Sequence, residues 1–482
     1  MGYSVHMDTI CRQSVSIFAV ILTSLLLVTC QQPWQVTGSS DTHQPDIPGV
    51  LPAVVTPESI SPSMGKVWDD DACDFVNFNP LTDFEIHRVP TMEEPTPRIA
   101  FSDPVFGTCL VRATDRSSDI HAGDPSSGMK NEYSRVQAFN ADESRFIVFT
   151  TEGNWYLYDA FTLEPISQLP IWHEPRWDAD DPDLLYYTEE TRLMSYRLSS
   201  GEQQVVHEFA DDFPGRNLAV AWTKYEGSPS SDSRYWGFMA EDQDWMTMAL
   251  IIYDIENDQI IALRETPPAE IDSVTLSPMG NYFLAFYDGP CEYGHLGNDV
   301  YPCGLMVYDR NLENGRGLLR IVGHSDPALD SQGKEVLVYQ DIDTDNIAML
   351  DLASGEITPL LPIDFSNSAL GLHFSGQAFR FPGWILVSTS NGSRPSATWM
   401  DDQIFAVELL QNGRVVRLAH THSVFDENIE HDYWAEPHAS VNRDFTQIVF
   451  TSNWGRAGSD EVDMYLINLP GDWVARLPRG DD

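Results

Sequence analysis

Basic residues are scarce in this chain of 482 residues: 28 Lys and Arg stand against 73 Asp and Glu, a formal charge of -45. The acidity is spread along the sequence and is not gathered into a tail. That excludes nucleic acid as a partner, because phosphate backbones demand a basic surface, and it fits a solvated acidic surface that aids solubility. Past the N-terminus there is no apolar run long enough to cross a bilayer. Cysteines number six, and none forms the Cys-x-x-Cys pair of a structural zinc site. A Gly-x-Ser-x-Gly elbow, a P-loop and a Gly-x-Gly-x-x-Gly turn after a strand are all missing, which argues against a serine hydrolase and against a nucleotide enzyme. Paired carboxylates are too common in so acidic a chain to single out a glycosidase. What is present is 42% hydrophobic and 11% aromatic residues, enough for a large core.

The N-terminus carries Arg12 and then an apolar stretch, Val15 to Val28, too short for a comfortable membrane span and of the right length for a signal-peptide core. It ends Leu27-Val28-Thr29-Cys30, which resembles a bacterial lipobox, with Thr29 where Gly, Ala or Ser is usual. Residues 1–29 therefore read as a lipoprotein-type signal peptide with Cys30 lipidated; an ordinary cleaved signal is the alternative. Residues 30–66, rich in Pro, Ser, Thr and Gln, read as a disordered tether. Residues 67–482 are left for one folded domain. The expectation is a monomer at the cell envelope, an outer-membrane lipoprotein or a secreted or periplasmic protein, that meets the membrane only through its lipid. Setting aside Cys11 and Cys30 leaves four cysteines and three possible pairings. In an oxidising compartment, Cys291 with Cys303, closing a short loop, and Cys73 with Cys109, at the start of the domain, are favoured.

Self-similarity sets the fold. One unit recurs: a short strand, a turn of the type Ser/Asn-x-Asp/Gly, a strand of alternating bulky apolar residues, and an apolar strand ending in Tyr-Asp or similar. The clearest copy runs Ala138-Phe139-Asn140-Ala141-Asp142, Phe146 to Phe149, Trp155-Tyr156-Leu157-Tyr158-Asp159 and Pro165 to Leu169. Other copies are marked by Leu184 to Tyr187, Ile251-Ile252-Tyr253-Asp254, Leu305 to Asp309, Val336 to Tyr339, a degraded Trp384 to Val387, and Ile448 to Phe450. Seven copies between about Asn131 and Leu477, with no Pro/Gly-rich linker between them, predict an all-β chain folded as one seven-bladed β-propeller. Strands within Phe84 to Arg112 precede the first copy and are expected to close or cap the ring.

Propellers bind ligands at a channel mouth, so the informative residues are those just ahead of each innermost strand. These are His121 and Arg135 for the first blade, His173 and Arg176 for the second, His324 and Asp326 for the fifth, His373 for the sixth, and Glu436 and His438 for the seventh. Around them the sequence resembles oligogalacturonate lyases and related propeller-type polysaccharide lyases, ulvan lyases among them. The likeness is carried by Ile99 to Asp103, Gly107 to Arg112, His121 and Tyr133-Ser134-Arg135, by Gly323-His324-Ser325-Asp326-Pro327, and by Ala435-Glu436-Pro437-His438. It implies an exported lyase that cleaves a uronate-containing, acidic polysaccharide of ulvan or pectin type by β-elimination. It also implies a divalent metal, Mn, Ca or Zn, held by His324, Glu436 and His438. Glu436 stands where the family has a histidine, and Tyr433 where it has a glutamine. The chemistry needs charge to neutralise the uronate carboxylate, for which Arg135 and Arg176 are candidates, and a base for the C5 proton, for which His121 and His173 are.

Each candidate has a plainer reading. His324 and His438 could be hydrogen-bonded structural residues. Arg234 fits a propeller turn, His295 an exposed loop, and His420, His422 and His431 a solvated insertion. The function of another class that this sequence allows is a non-catalytic TolB-like propeller, binding glycan or protein at the envelope.

Overall fold

The computed structural model describes residues 67–68, 73–368, 370–391, 396–425 and 432–478. The signal peptide, Cys30, the whole of the tether and His431 lie outside the described residues. Those described form seven antiparallel sheets, six of four strands and one of five, with three short 3-10 turns as the helical content. This is a seven-bladed β-propeller.

Each of the first six blades is a meander of chain-consecutive strands. Blade one is Met129–Lys130, Arg145–Thr150, Trp155–Asp159 and Pro165–Leu169, and blade two begins with His173–Trp177. The innermost strands of blades three to six are Leu218–Trp222, Ile271–Leu276, Ser325–Leu329 and Gly371–Ser375. Blade seven joins the two ends of the domain: Ser440–Val441, Gln447–Ser452 and Asp463–Asn468 pair outward to Cys109–Arg112 and then Phe101–Ser102. Leu110 opposes Ile467 and Val111 opposes Leu466 across that seam. The strands ahead of the first repeat thus close the ring, and closure removes the open sheet edges of a linear array.

The repeated turn has a physical reason. In five blades the chain leaves the innermost strand through a four-residue turn whose last residue has a left-handed φ: Glu143, Ser233, Gly280, Gly333 and Phe445. The first residue caps it. Asn140 Oδ1 accepts from Arg145 N (2.9 Å), Ser230 Oγ from Tyr235 N (3.0 Å), Ser277 Oγ from Tyr282 N (2.9 Å) and Asn442 Oδ1 from Gln447 N (2.9 Å). Asn and Ser recur there because a short oxygen-bearing side chain can replace a ladder partner at a strand's start. The Asp that ends the third strand works likewise: Asp159 Oδ1 accepts from the amides of Phe161 and Thr162, and Asp351 Oδ1 from those of Ala353 and Ser354.

The core lies between blades. Trp222, Met239 and Ile252 of blade three pack on Leu276, Phe283 and Met306 of blade four in one buried cluster. Contact there is close enough that a Cβ on Gly237 would meet the Phe283 ring at 2.8 Å. Two disulfides are present, Cys73–Cys109 and Cys291–Cys303, with Cα atoms 5.4 and 5.1 Å apart.

Candidate active site

The innermost strands bring residues that lie far apart in the sequence to one axial cluster. His324 precedes the inner strand of blade five, His373 lies within that of blade six, and Glu436 and His438 precede that of blade seven. The His324 and His373 rings are 4.3 Å apart by centroid, as are those of His373 and His438. Glu436 binds them together: its Oε2 lies 2.6 Å from His373 Nε2 and 3.3 Å from His438 Nε2. Tyr133 lies against both rings, at 5.5 and 4.9 Å, and Tyr433 lies 5.4 Å from His438.

Burial decides the charges here. It holds His324 well below the usual imidazole range, with His373 beside it adding to the effect, and it takes His438 down to about 3. Burial alone would raise Glu436, but its hydrogen bonds to His373 and His438 outweigh that and hold it well below the usual carboxylate range. One carboxylate is thus shared by His373 and His438. Nδ1 of His373 and Nδ1 of His438 have no hydrogen-bond partner although they are buried. Buried polar atoms are rarely left without partners. His373, Glu436 and His438 offer three donor atoms within 4.8 Å of one another, while Glu436 keeps 26% of its side-chain surface open. An imidazole and carboxylate set of this kind suits Mn or Zn, and the carboxylate suits Ca. His438 also holds a left-handed backbone, φ 42°, the kind of local strain that gathers at binding sites.

Arg135 borders the cluster. Its guanidinium lies over Tyr133 and Phe286, donates to Glu226 at 2.7 Å and reaches Ser325 Oγ at 3.3 Å. Arg176 is held differently. It donates to both oxygens of Glu132 (3.1 and 2.9 Å), to the Gly227 carbonyl through Nε and to the Tyr225 carbonyl through Nη2, so all three of its nitrogens are engaged by protein. His173 opens the inner strand of blade two, and burial lowers its pKa against the opposing charge of Glu174. His121 is exposed and stands apart, its ring against Tyr156 in the third strand of blade one, 5.1 Å away. The cluster therefore unites His324, Glu436 and His438, with Arg135 beside it, and leaves His121 outside.

Four participants were not foreseen. Lys130 is buried, which takes its amine down to about 8 against the nearby Glu132 and Glu436, and it donates to the Glu132 carbonyl at 2.8 Å. Burial raises Glu132 to about 7 even with Arg176 beside it. Glu226 and Tyr133 complete the set.

Other candidates fall elsewhere. Asp326 is buried and pushed up to about 7, and it joins blades five and six by accepting from Gly376 N and Gln377 Nε2. Arg234 pairs with Asp254 at 3.0 Å, and His295 is exposed within its disulfide loop. The expectation of solvated histidines at 420 and 422 is corrected: His420 ends the fourth strand of blade six with no exposed surface, and His422 stacks on Trp454 at 4.0 Å.

No protein-family model matches the chain, and no curated protein matches it in sequence. Among solved structures, it is similar to an oligogalacturonate lyase in complex with manganese, 16% identical with a TM-score of 0.55, covering 81% of this chain and 99% of that one. It is also similar to an oligogalacturonate lyase from Vibrio parahaemolyticus, 14% identical with a TM-score of 0.53, covering 78% of this chain and 97% of that one. What is shared is the propeller. At such identity the likeness is one of chain path, and the chemistry has to be argued from the side chains of this protein.

Proposed function

We propose that this protein is an exported lyase that cleaves a uronate-containing glycan, of pectic or ulvan type, by β-elimination at the axial cluster. The observation that carries the reading is the buried group of His324, His373, Glu436 and His438 with unpartnered ring nitrogens, flanked by Arg135. His373, Glu436 and His438 would hold a divalent ion, with His324 beside them. Such an ion, when bound, supplies positive charge near the uronate carboxylate. Arg135 is the protein's own neutraliser, held by its ion pair with Glu226. Its guanidinium favours the negative charge that develops on the carboxylate as the C5 proton leaves. His173, neutral at pH 7 because burial lowers its pKa, takes that proton; the C4–O bond then breaks, a C4=C5 double bond forms, and the leaving oxygen is protonated from water. In this scheme Arg176 is a positioning residue that fixes Glu132 and the backbone at Tyr225. His121, exposed against Tyr156, has no part in this scheme. Two disulfides support an oxidising compartment, as an exported protein lipidated at Cys30 requires.

The test is ultraviolet absorbance from the unsaturated product when purified protein, with Mn or Ca, meets a panel of pectic and ulvan-type polymers. Arg135→Ala is expected to lower kcat/KM by about 10²–10³-fold, the size of a lost oxyanion donor. Glu436→Gln is expected to lose the bound ion, counted per chain by elemental analysis. Absence of product across the whole panel would overturn the reading and leave a binding propeller.

A further inference from the structure

The ring has a second mouth that the axial cluster does not use. Inner strands enter beside the imidazoles and leave on the far side: His173 opens the inner strand of blade two and Trp177 ends it, and just past the inner strands of blades six and seven come Gln377 and Arg443. A cavity of about 30 Å³ lies at that far side, where roughly 10–15 Å³ on the same measure would hold one water. Its eleven lining residues include Arg176, Arg443, Gln137, Gln377 and four serines, and no Asp or Glu is among them, in a chain that carries 73.

Arg443 is the charge that this lining leaves unbalanced. Its side chain is buried, at 7% exposure, and its Nη1 donates to the Phe139 and Asn140 carbonyls at 3.0 and 2.9 Å. Among the described residues nothing accepts from its Nε or Nη2, and no carboxylate lies within ion-pair distance. Arg380 of blade six joins it. The Arg380 amide donates to the Arg443 carbonyl at 3.0 Å and its Nη2 reaches the Ala141 carbonyl at 3.3 Å, so the two guanidiniums meet on three consecutive carbonyls, those of residues 139 to 141. Burial, with Arg380 beside it, takes Arg443 down to about 10 against the attraction of Glu143, Asp178 and Asp444. Where arginines gather at blade seven, an acid lies between them: Arg112 and Arg116 both pair with Asp463.

We infer that the far mouth is an anion site, and that it holds a small oxyanion of sulfate type against Arg443 and Arg380. The free Nε and Nη2 edge of a guanidinium presents two parallel N–H donors at the spacing of two oxygens of such a group. Ser231 lines the same cavity and gives its amide to the Pro278 carbonyl, which leaves its hydroxyl as a further donor. Attraction between opposite charges is stronger in so buried a setting than in water. Asp326, on the channel side, is engaged by Gly376 N and Gln377 Nε2 and does not line the cavity. The site stands apart from the reading of the axial cluster as a lyase centre. A sulfate ester on a glycan and free inorganic sulfate present the same oxygens, and competition separates the two sources.

Equilibrium dialysis of the full chain against labelled sulfate, with sodium chloride holding the ionic strength constant, counts the bound anion. One sulfate per chain is expected, weakened by about tenfold or more in Arg443→Gln and in Arg380→Gln, and unchanged in Glu436→Gln, which alters only the axial cluster. Thermal unfolding without sulfate checks that each variant folds; Arg380 is exposed, so its variant decides the matter where Arg443→Gln does not fold. Displacement by a sulfated monosaccharide at or below the concentration of inorganic sulfate assigns the site to a glycan ester, displacement only at higher concentration assigns it to the free anion, and either upholds it. The inference is overturned if the wild type binds no sulfate at millimolar concentration, if the folded arginine variants bind as the wild type does, or if Glu436→Gln abolishes binding, which would put the anion at the axial cluster.

Discussion

At the scale of single residues, legibility depended on how rare a residue is. With 13 histidines in 482 residues, each histidine ahead of an inner strand stood out; His438 lies beside Glu436, while His324 packs against His373, which takes the place expected of His324 among the three donors. His373 was visible but was not grouped with them, because blade six is degraded in sequence and the residue lies inside its strand and not ahead of it. Glu132 and Glu226 gave no signal, being two among 73 acidic residues whose burial only the fold reveals. Histidines away from the axis behave differently. Burial holds His420 at about 4 and His422 at about 3, with Arg417 and His87 disfavouring a charge on His420, and His420 on His422. In the unfolded chain both return to about 6.5. Their contribution to stability is therefore complete above pH 6.5 and is lost as the pH falls from there towards 4, at about 1.4 kcal/mol per pH unit for each residue. His422→Phe, which keeps a ring on Trp454, is expected to remove one residue's share of the loss in urea midpoint between pH 7 and pH 5. An unchanged loss would mean that His422 is protonated in the folded state.

At the scale of elements, the repeat was readable because turn chemistry and strand period agree in each copy, which is how a sequence specifies a sheet. The exceptions are instructive. The first copy reads most clearly from Ala138, yet its innermost strand is only Met129–Lys130. The chain between them leaves the ladder and carries Glu132, Tyr133 and Arg135 to the axis. Blade seven shows the same shortening, with Ser440–Val441 following directly on His438. Blades five and six deliver His324 and His373 at full five-residue inner strands, so shortening is confined to blades one and seven. The Cys73–Cys109 disulfide ties the segment ahead of the ring to the strand that closes it, across 36 residues. By the loop it closes in the unfolded chain, its removal as Cys73→Ser with Cys109→Ser is expected to cost about 3–4 kcal/mol, read from denaturant midpoints under non-reducing conditions. A midpoint unchanged from the wild type would show that the seam of Leu110 and Val111 against Ile467 and Leu466 holds the ring without it.

At the scale of the whole molecule, ring and charge oppose each other. Seven sheets bring the imidazoles and Arg135 to one opening, but they do so inside a chain of formal charge -45, in which four of the 28 basic residues are lysine. Several arginines are already paired with carboxylates, as Arg112 and Arg116 are with Asp463, and such pairs add no net attraction for an anion at a distance. An acidic polymer is therefore repelled over long range and held only at short range. Salt separates the two, because the screening length shrinks from about 30 Å at 0.01 M to about 8 Å at 0.15 M, while contacts within a partly buried site are screened much less. Raising the salt across that interval should lower KM for a uronate polymer several-fold and leave kcat nearly unchanged. A basic polyanion binder weakens steeply over the same interval. Steady-state kinetics at three salt concentrations decides it: a KM that rises with salt would mean that the local field of Arg135 and Lys130 at the mouth outweighs the field of the whole chain.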